Sequence, residues 1–137
     1  MLPNTLVTNE VKNASGVEQE FARQKEEGPS VQFVHKTAAP NLPHYIRFSH
    51  REVGKDAELR RQSVREVVKT VIGVSGVQRK VIDRHTTDFP IGDLADMTEP
   101  KNVMAEGGSL DYTLTGTATF LYDGTGNGSS ALLEGSI

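Results

Sequence analysis

Cysteine and tryptophan are both absent from the 137 residues. Without cysteine, neither a disulfide framework nor a thiolate metal site can form. Aromatic residues are scarce, five Phe and three Tyr. A chain of this length fits one domain, 1–137, and buries roughly two-thirds of its unfolded surface. So few large apolar side chains suggest that part of the core is shared with a second subunit. No apolar run approaches the ~18 residues that span a bilayer. The opening MLPNTLVTNE has neither a basic nor an apolar signal region, so a soluble protein made inside the cell is expected. Asn13-Ala14-Ser15 and Asn127-Gly128-Ser129 match the glycosylation pattern, which means nothing without secretion.

Positive charge is nearly missing from the C-terminal third. Residues 88–137 hold one Lys/Arg against eight Asp/Glu, a balance of −7. Residues 44–87 hold ten against five, +5, and residues 1–43 hold four against five, −1. A basic middle beside an acidic end suggests a surface for polyanions on one element and a separate surface on another.

The pattern along the chain reads as α+β. Residues 4–24 suggest a β-hairpin, with Thr5-Leu6-Val7 and Val17 to Phe21 around the turn Asn13-Ala14-Ser15-Gly16. QKEEGPS (24–30) reads as a polar break. VQFVHKTA (31–38) alternates, and Pro40 to Pro43 breaks again. HYIRFSHREV (44–53) sets Ile46 and Phe48 on one face and Arg47, Ser49 and Arg51 on the other, as in a half-buried strand. VQRKVIDRHT (77–86) is strand-like. The domain then divides into an N-terminal hairpin region (1–30), central sheet strands (31–90), a loop rich in Pro and Gly (91–108) and C-terminal helices (109–137). The first of those helices follows Leu110, Leu114, Ala118 and Leu121, with Ser109 as N-cap. GTGNGSS (124–130) reads as a flexible linker.

One stretch carries two incompatible periods. In RRQSVREVVKTVIGVSG (60–76), Val64, Val67, Val68, Val71 and Ile72 form a helical stripe. The same stretch is dense in β-branched residues, which suit a pleated sheet. Its flanks are strand-like, and GKDAEL and Ser75-Gly76 suit short turns, so a three-strand meander is favoured.

RRQSVREVVKTV resembles the charged-then-apolar strand of single-stranded RNA bacteriophage coat proteins of the levivirus type. VIDRHTTDFP looks like their next strand, with its closing aspartate and proline. TGTATFLYDGTGNGSSALLEGSI is similar to their C-terminal signature, a Phe-Leu helix end, a Gly/Ser linker and a Leu-Leu-x-Gly ending at Leu132-Leu133-Glu134-Gly135. The resemblance runs in order from residue 44 onward. DFPIGDLADMTEPKNVMAEGG (88–108) departs from it by its length.

The resemblance implies a structural capsid protein. Two subunits would form an intertwined homodimer with a continuous sheet, covered by helices on one face. Leu114, Ala118, Phe120, Leu121, Leu132 and Leu133 would pack those helices. Dimers would close into an icosahedral virion shell, made in the host bacterial cytoplasm, with no membrane partner. The basic sheet face would meet single-stranded genomic RNA, and a hairpin in that RNA could be bound to repress translation. RNA contacts are expected from Arg47, Ser49 and Arg51, from Arg65 and Lys69, and from Lys80 and Arg84. Tyr45 could stack a base, but is left out as a residue of the other face from Arg47.

No catalytic constellation is found, so no enzyme and no cofactor are expected. Asp83, His85 and Asp88 lack a shared face for a metal, and GTGNGSS and VGKD (53–56) lack the pattern of a phosphate-binding loop. The alternatives are a small nucleic-acid-binding regulator, with a central helix at 56–72 capped by Asp56 and Gly73, and a metal-assisted hydrolase using Asp83 and His85.

Overall fold

The computed structural model describes residues 3–6, 11–91 and 93–135. Val7, Gly92 and the last two residues, to which turn and helix readings extended, lie outside these. Six strands form one antiparallel sheet in chain order: β1 (Thr5–Leu6), β2 (Phe21–Glu27), β3 (Ser30–His35), β4 (His44–Val53), β5 (Arg60–Ile72) and β6 (Gln78–Pro90). Two helices follow, α1 (Thr98–Tyr112) and α2 (Asn127–Glu134). The chain clusters into two compact units, Met1–Thr8 with Glu20–Leu94 and Asn9–Gln19 with Ala95–Ile137. No described helix is long and apolar enough to cross a membrane.

Segment 60–72 is a strand over 13 residues. β5 pairs with β4 from Val53↔Arg60 to His44↔Lys69, and with β6 from Arg60↔Pro90 to Ile72↔Gln78. A helix here would strip both neighbours of their backbone partners. Two ladders therefore outweigh one apolar stripe. The helix expected at 56–72 under the regulator reading is overturned; only a 3₁₀ turn, Asp56–Glu58, precedes the strand.

Of two expected turn regions, one differs and one forms as expected. The polar break at 24–30 is confined to its end, because β2 continues through Glu27, with a bulge between Arg23 and Lys25. Polar side chains do not stop a strand whose backbone finds a ladder. The Asn13–Gly16 turn does form: the Asn13 side-chain oxygen accepts from the backbone N–H of Ser15 and of Val17, both at 3.0 Å.

The largest correction concerns 91–126. The expected loop 91–108 contains most of α1, and the helix expected from residue 109 instead ends at Tyr112. Pro100 lies in the first turn of α1, where its missing N–H has no intrahelical role. The carboxylate of Asp96 accepts from the Thr98 N–H at 2.9 Å and caps that turn. Beyond Tyr112, β-branched Thr113, Thr115, Thr117 and Thr119 alternate around Gly116 and favour irregular, extended chain. The Leu121 N–H donates back to the Tyr112 carbonyl at 2.7 Å. Tyr112 lies 6.4 Å by ring centroid from both Phe120 and Tyr122, and Lys12 stands 5.3 Å over Tyr122. The expected linker 124–130 is largely the start of α2, not a free tether.

Candidate nucleic-acid interface

The ladder registers assign every strand residue to one of two sheet faces. Tyr45, Arg47, Ser49 and Arg51 of β4 share a face with Gln62, Val64, Glu66, Val68 and Thr70 of β5, and with Lys80, Ile82, Arg84, Thr86 and Asp88 of β6. Ser30, Gln32 and Val34 of β3 continue it. The opposite face carries Phe21, Phe33, Ile46, Phe48 and Val67, with Phe21 and Phe33 fully buried and Ile46 buried; the other fully buried side chain, Val68, lies on the first face. One face is thus built around apolar rings and the other around polar rows.

Polar rows run straight across the strands of that second face. Arg47 donates from Nε and Nη2 to the Gln32 Oε1, at 3.2 and 2.7 Å. In the same row the Arg84 Nε donates to the Glu66 carboxylate at 2.9 Å. Two rows on, the Arg51 Nε donates to the Gln62 Oε1 at 2.7 Å, and the Gln62 amide donates to Asp88 at 3.2 Å. Arg60 also reaches Asp88, at 3.1 Å. On β4–β6 this face holds Arg47, Arg51, Arg60, Lys80 and Arg84 against Glu66 and Asp88, a net +3. Neutral Gln acceptors hold the β4 arginines in place without cancelling their charge.

The expected RNA set is divided by this geometry. Arg47, Ser49, Arg51, Lys80 and Arg84 come together. Arg65 and Lys69 lie on the opposite face, because β4 residues pair with β5 residues of the other parity. Arg65 there faces Asp83, with 3.7 Å between their charged groups. Tyr45, set aside as a residue of the other face, belongs with Arg47: they are two apart on one strand, and the Arg47 guanidinium stands 5.3 Å over the Tyr45 ring. Gln32, Gln62 and Glu66 were not singled out from the sequence. Cross-strand pairing alone reveals them.

All four histidines occupy the apolar-ring face. His35 and His44 stack, 5.0 Å apart at 11°, and Phe21 meets both edge-on at 5.2 and 5.1 Å. The Thr37 N–H donates to the His35 Nδ1 at 3.2 Å. Burial, then the neighbouring charges of His35 and Lys69, pull the His44 pKa down from 6.5 to about 4. The neutral ring is therefore the stable form. An unfolded chain takes the proton first as pH falls, so this stabilisation is complete above pH 6.5 and is lost between 6.5 and about 4. Discounted for partial exposure, the loss is about 1–2 kcal/mol. Urea titrations at pH 7.5 and 4.5 should show it in the parent, and His44→Gln should flatten it. An equally steep loss in the variant would assign the acid sensitivity to other groups.

The helix-packing residues are also redistributed. Leu114, Ala118, Phe120 and Leu121 lie in the irregular chain between α1 and α2, and only Leu132 and Leu133 are helical. The latter pair is 76% and 77% exposed. No residue of α1 is buried, and its Val103, Met104 and Leu110 are exposed. For the hydrolase alternative, no group of three or more His, Asp or Glu among the described residues could hold a metal ion.

No protein-family model matches the sequence, and no curated protein matches it. Solved structures do match. The coat protein of bacteriophage EMS014 aligns over 100% of this chain and 99% of its own, with a TM-score of 0.74 at 10% identity. The virus-like particle of bacteriophage AVE019 aligns over 77% of this chain and 85% of its own, with a TM-score of 0.58 at 16% identity. That of Beihai levi-like virus 32 aligns over 66% and 74%, with a TM-score of 0.53 at 16% identity. Six antiparallel strands followed by two helices, in this order, are the fold of bacteriophage and levi-like virus coat proteins.

Proposed function

We propose that this chain is the capsid protein of a single-stranded RNA bacteriophage, which dimerises, assembles into an icosahedral shell and packages RNA. The observation that carries the reading is the end-to-end match to the EMS014 coat protein. The rest of the structure supplies what such a role needs. Among the described residues, strand β6 is paired only by β5, which leaves one side of a 13-residue strand as an open edge. An edge of that length invites pairing with another chain. Pairing two β6 edges about a two-fold axis joins two sheets into one. The exposed apolar residues of α1 and α2 then find cover on the partner. The apolar-ring face suits that cover, and the polar face with Arg47, Ser49, Arg51, Lys80 and Arg84 suits phosphates. The same face is the one on which an RNA hairpin would bind in translational repression. The protein thus belongs in the virion, after synthesis in the bacterial cytoplasm, and performs no catalysis.

Expression in bacteria, followed by size-exclusion chromatography with light scattering and electron microscopy, tests this directly. A megadalton species with nucleic-acid absorbance at 260 nm and uniform closed shells is expected. A monomer that stays monomeric at high concentration, with its β6 edge open, would overturn the capsid reading.

A further inference from the structure

We infer that two copies of this chain recognise each other by charge: the stripe Glu99, Val103, Glu106 and Leu110 on α1 of one copy meets the patch Lys69, Arg79 and Val81 on the other. This rests on the reading that two copies pair, and adds what selects the pairing. Toward β5 and β6 the apolar-ring face turns basic. From β4 to β6 it holds Arg61, Arg65, Lys69 and Arg79 against Glu52 and Asp83, a net +2. Both acids are already engaged. Glu52 faces Arg61 at 4.0 Å, and Asp83 faces Arg65 at 3.7 Å. Among the described residues, no carboxylate pairs with Lys69 or Arg79. Both cations are exposed, and so is Val81, which lies opposite Lys69 and two residues from Arg79.

The helical unit has the opposite sign. Residues 95–137 hold Lys101 against six Asp/Glu, a balance of −5. On α1, Glu99, Val103, Glu106 and Leu110 recur at i, i+4, i+7 and i+11, which places them on one stripe. All four are exposed. Lys101 falls on the opposite side of the helix, and α2 meets α1 at Asp111, roughly a third of a turn away from the stripe. Among the described residues, neither Glu99 nor Glu106 has an ion-pair partner. The two carboxylates are seven residues or ~10 Å apart along the helix. Lys69 and Arg79 stand diagonally across two strands, roughly 7–8 Å apart, on long side chains that close the difference. Val103 and Leu110 then lie over Val81. In a two-fold pair each contact forms twice. Valine and leucine alone would accept any apolar surface, whereas carboxylates opposite cations reject a shifted or reversed copy.

Two charge-reversed full-length chains test this. One carries Glu99→Lys with Glu106→Lys, the other Lys69→Glu with Arg79→Glu. Each alone should dimerise at least about 100-fold more weakly than the parent in sedimentation, because like charges then face each other twice. Co-expressed, they should associate again with equal amounts of the two chains by native mass spectrometry. In the mixed pair each reversed stripe faces a reversed patch, and each native stripe a native patch. Lys80→Glu with Arg84→Glu, on the polar face of the same strand, should not rescue Glu99→Lys with Glu106→Lys. Circular dichroism checks the fold of each chain. Should a reversed chain not fold, a salt series on the parent decides: dimerisation should weaken about tenfold from about 50 to about 500 mM NaCl. Parent-like dimerisation of either reversed chain, no rescue between folded chains, rescue by the polar-face variant, or a parent dimer indifferent to salt would overturn charge recognition and leave the dimer standing. A parent that stays monomeric would overturn the dimer and the inference with it.

Discussion

Gly128→Ala should destabilise the helical unit by about 1–3 kcal/mol, the range of overpacking. Gly128 is buried at the start of α2, against the last turn of α1. A Cβ there would strike the Asp111 carboxylate oxygen, and would lie 3.0 Å from its Cα and 3.1 Å from its N. At Gly126 a Cβ would strike the Asp111 carbonyl oxygen and lie 2.9 Å from the Tyr112 Cα. Most of these neighbours are backbone, which cannot swing aside. The close approach is also hydrogen-bonded: Ser129 Oγ donates to the Asp111 carbonyl at 2.6 Å, and the Asn127 N–H donates to that of Thr113 at 2.9 Å. Separating the two helices to admit a methyl group breaks both bonds. Gly107→Ala is the matched control. Its Cβ meets nothing within 4 Å in the middle of α1, so helix propensity alone should act, stabilising by up to about 1 kcal/mol. Urea unfolding followed by circular dichroism at 222 nm reads both. Equal midpoints for Gly128→Ala and the parent would mean that the helices do not meet through these glycines.

Those glycines show where the sequence stops being legible. GTGNGSS has the composition of a linker, and composition has no term for a backbone packed 3 Å away. Strands β4, β5 and β6 were readable because their signals are local: alternation, β-branching and short polar connections. Which arginines share a face was not. The connection from Val53 to Arg60 pairs those two ends, and so matches odd residues of β4 with even residues of β5. One residue more or fewer would reverse the match. Grouping Arg65 and Lys69 with Arg47 requires a register that the residue types alone do not set. The placement of α1 failed for a related reason. Leu110, Leu114, Ala118 and Leu121 are helically spaced, but alternate threonines and Gly116 disfavour a helix there, while Pro100 and the paired glycines of α1 concealed one that forms. The charge asymmetry is legible from the sequence alone, since it depends on neither register nor boundary.

Register also makes the proposed RNA surface testable by face. Arg47→Gln, Arg51→Gln and Arg84→Gln in one chain remove three cations from the polar face and keep side chains able to hydrogen-bond. If each contacts a phosphate, the salt slope for single-stranded RNA should become about 2 units shallower, at ~0.7 per contact. Affinity at low salt should fall at least about tenfold, and purified particles should show less absorbance at 260 nm relative to 280 nm. Stability should change little, because the Arg84–Glu66 pair is largely exposed on the arginine side, at 59%, and such pairs contribute about 0–1 kcal/mol. The comparison is Arg65→Gln with Lys69→Gln, which removes two cations from the opposite face. A general loss of positive charge would weaken both variants in proportion, with slopes reduced by about 2 and 1.4. A face-specific surface would leave the second variant with the parent's slope. Should the second variant alone lose RNA, the apolar-ring face would be the one that meets the genome, and the partner's helices would have to lie over Arg47 and Tyr45 instead.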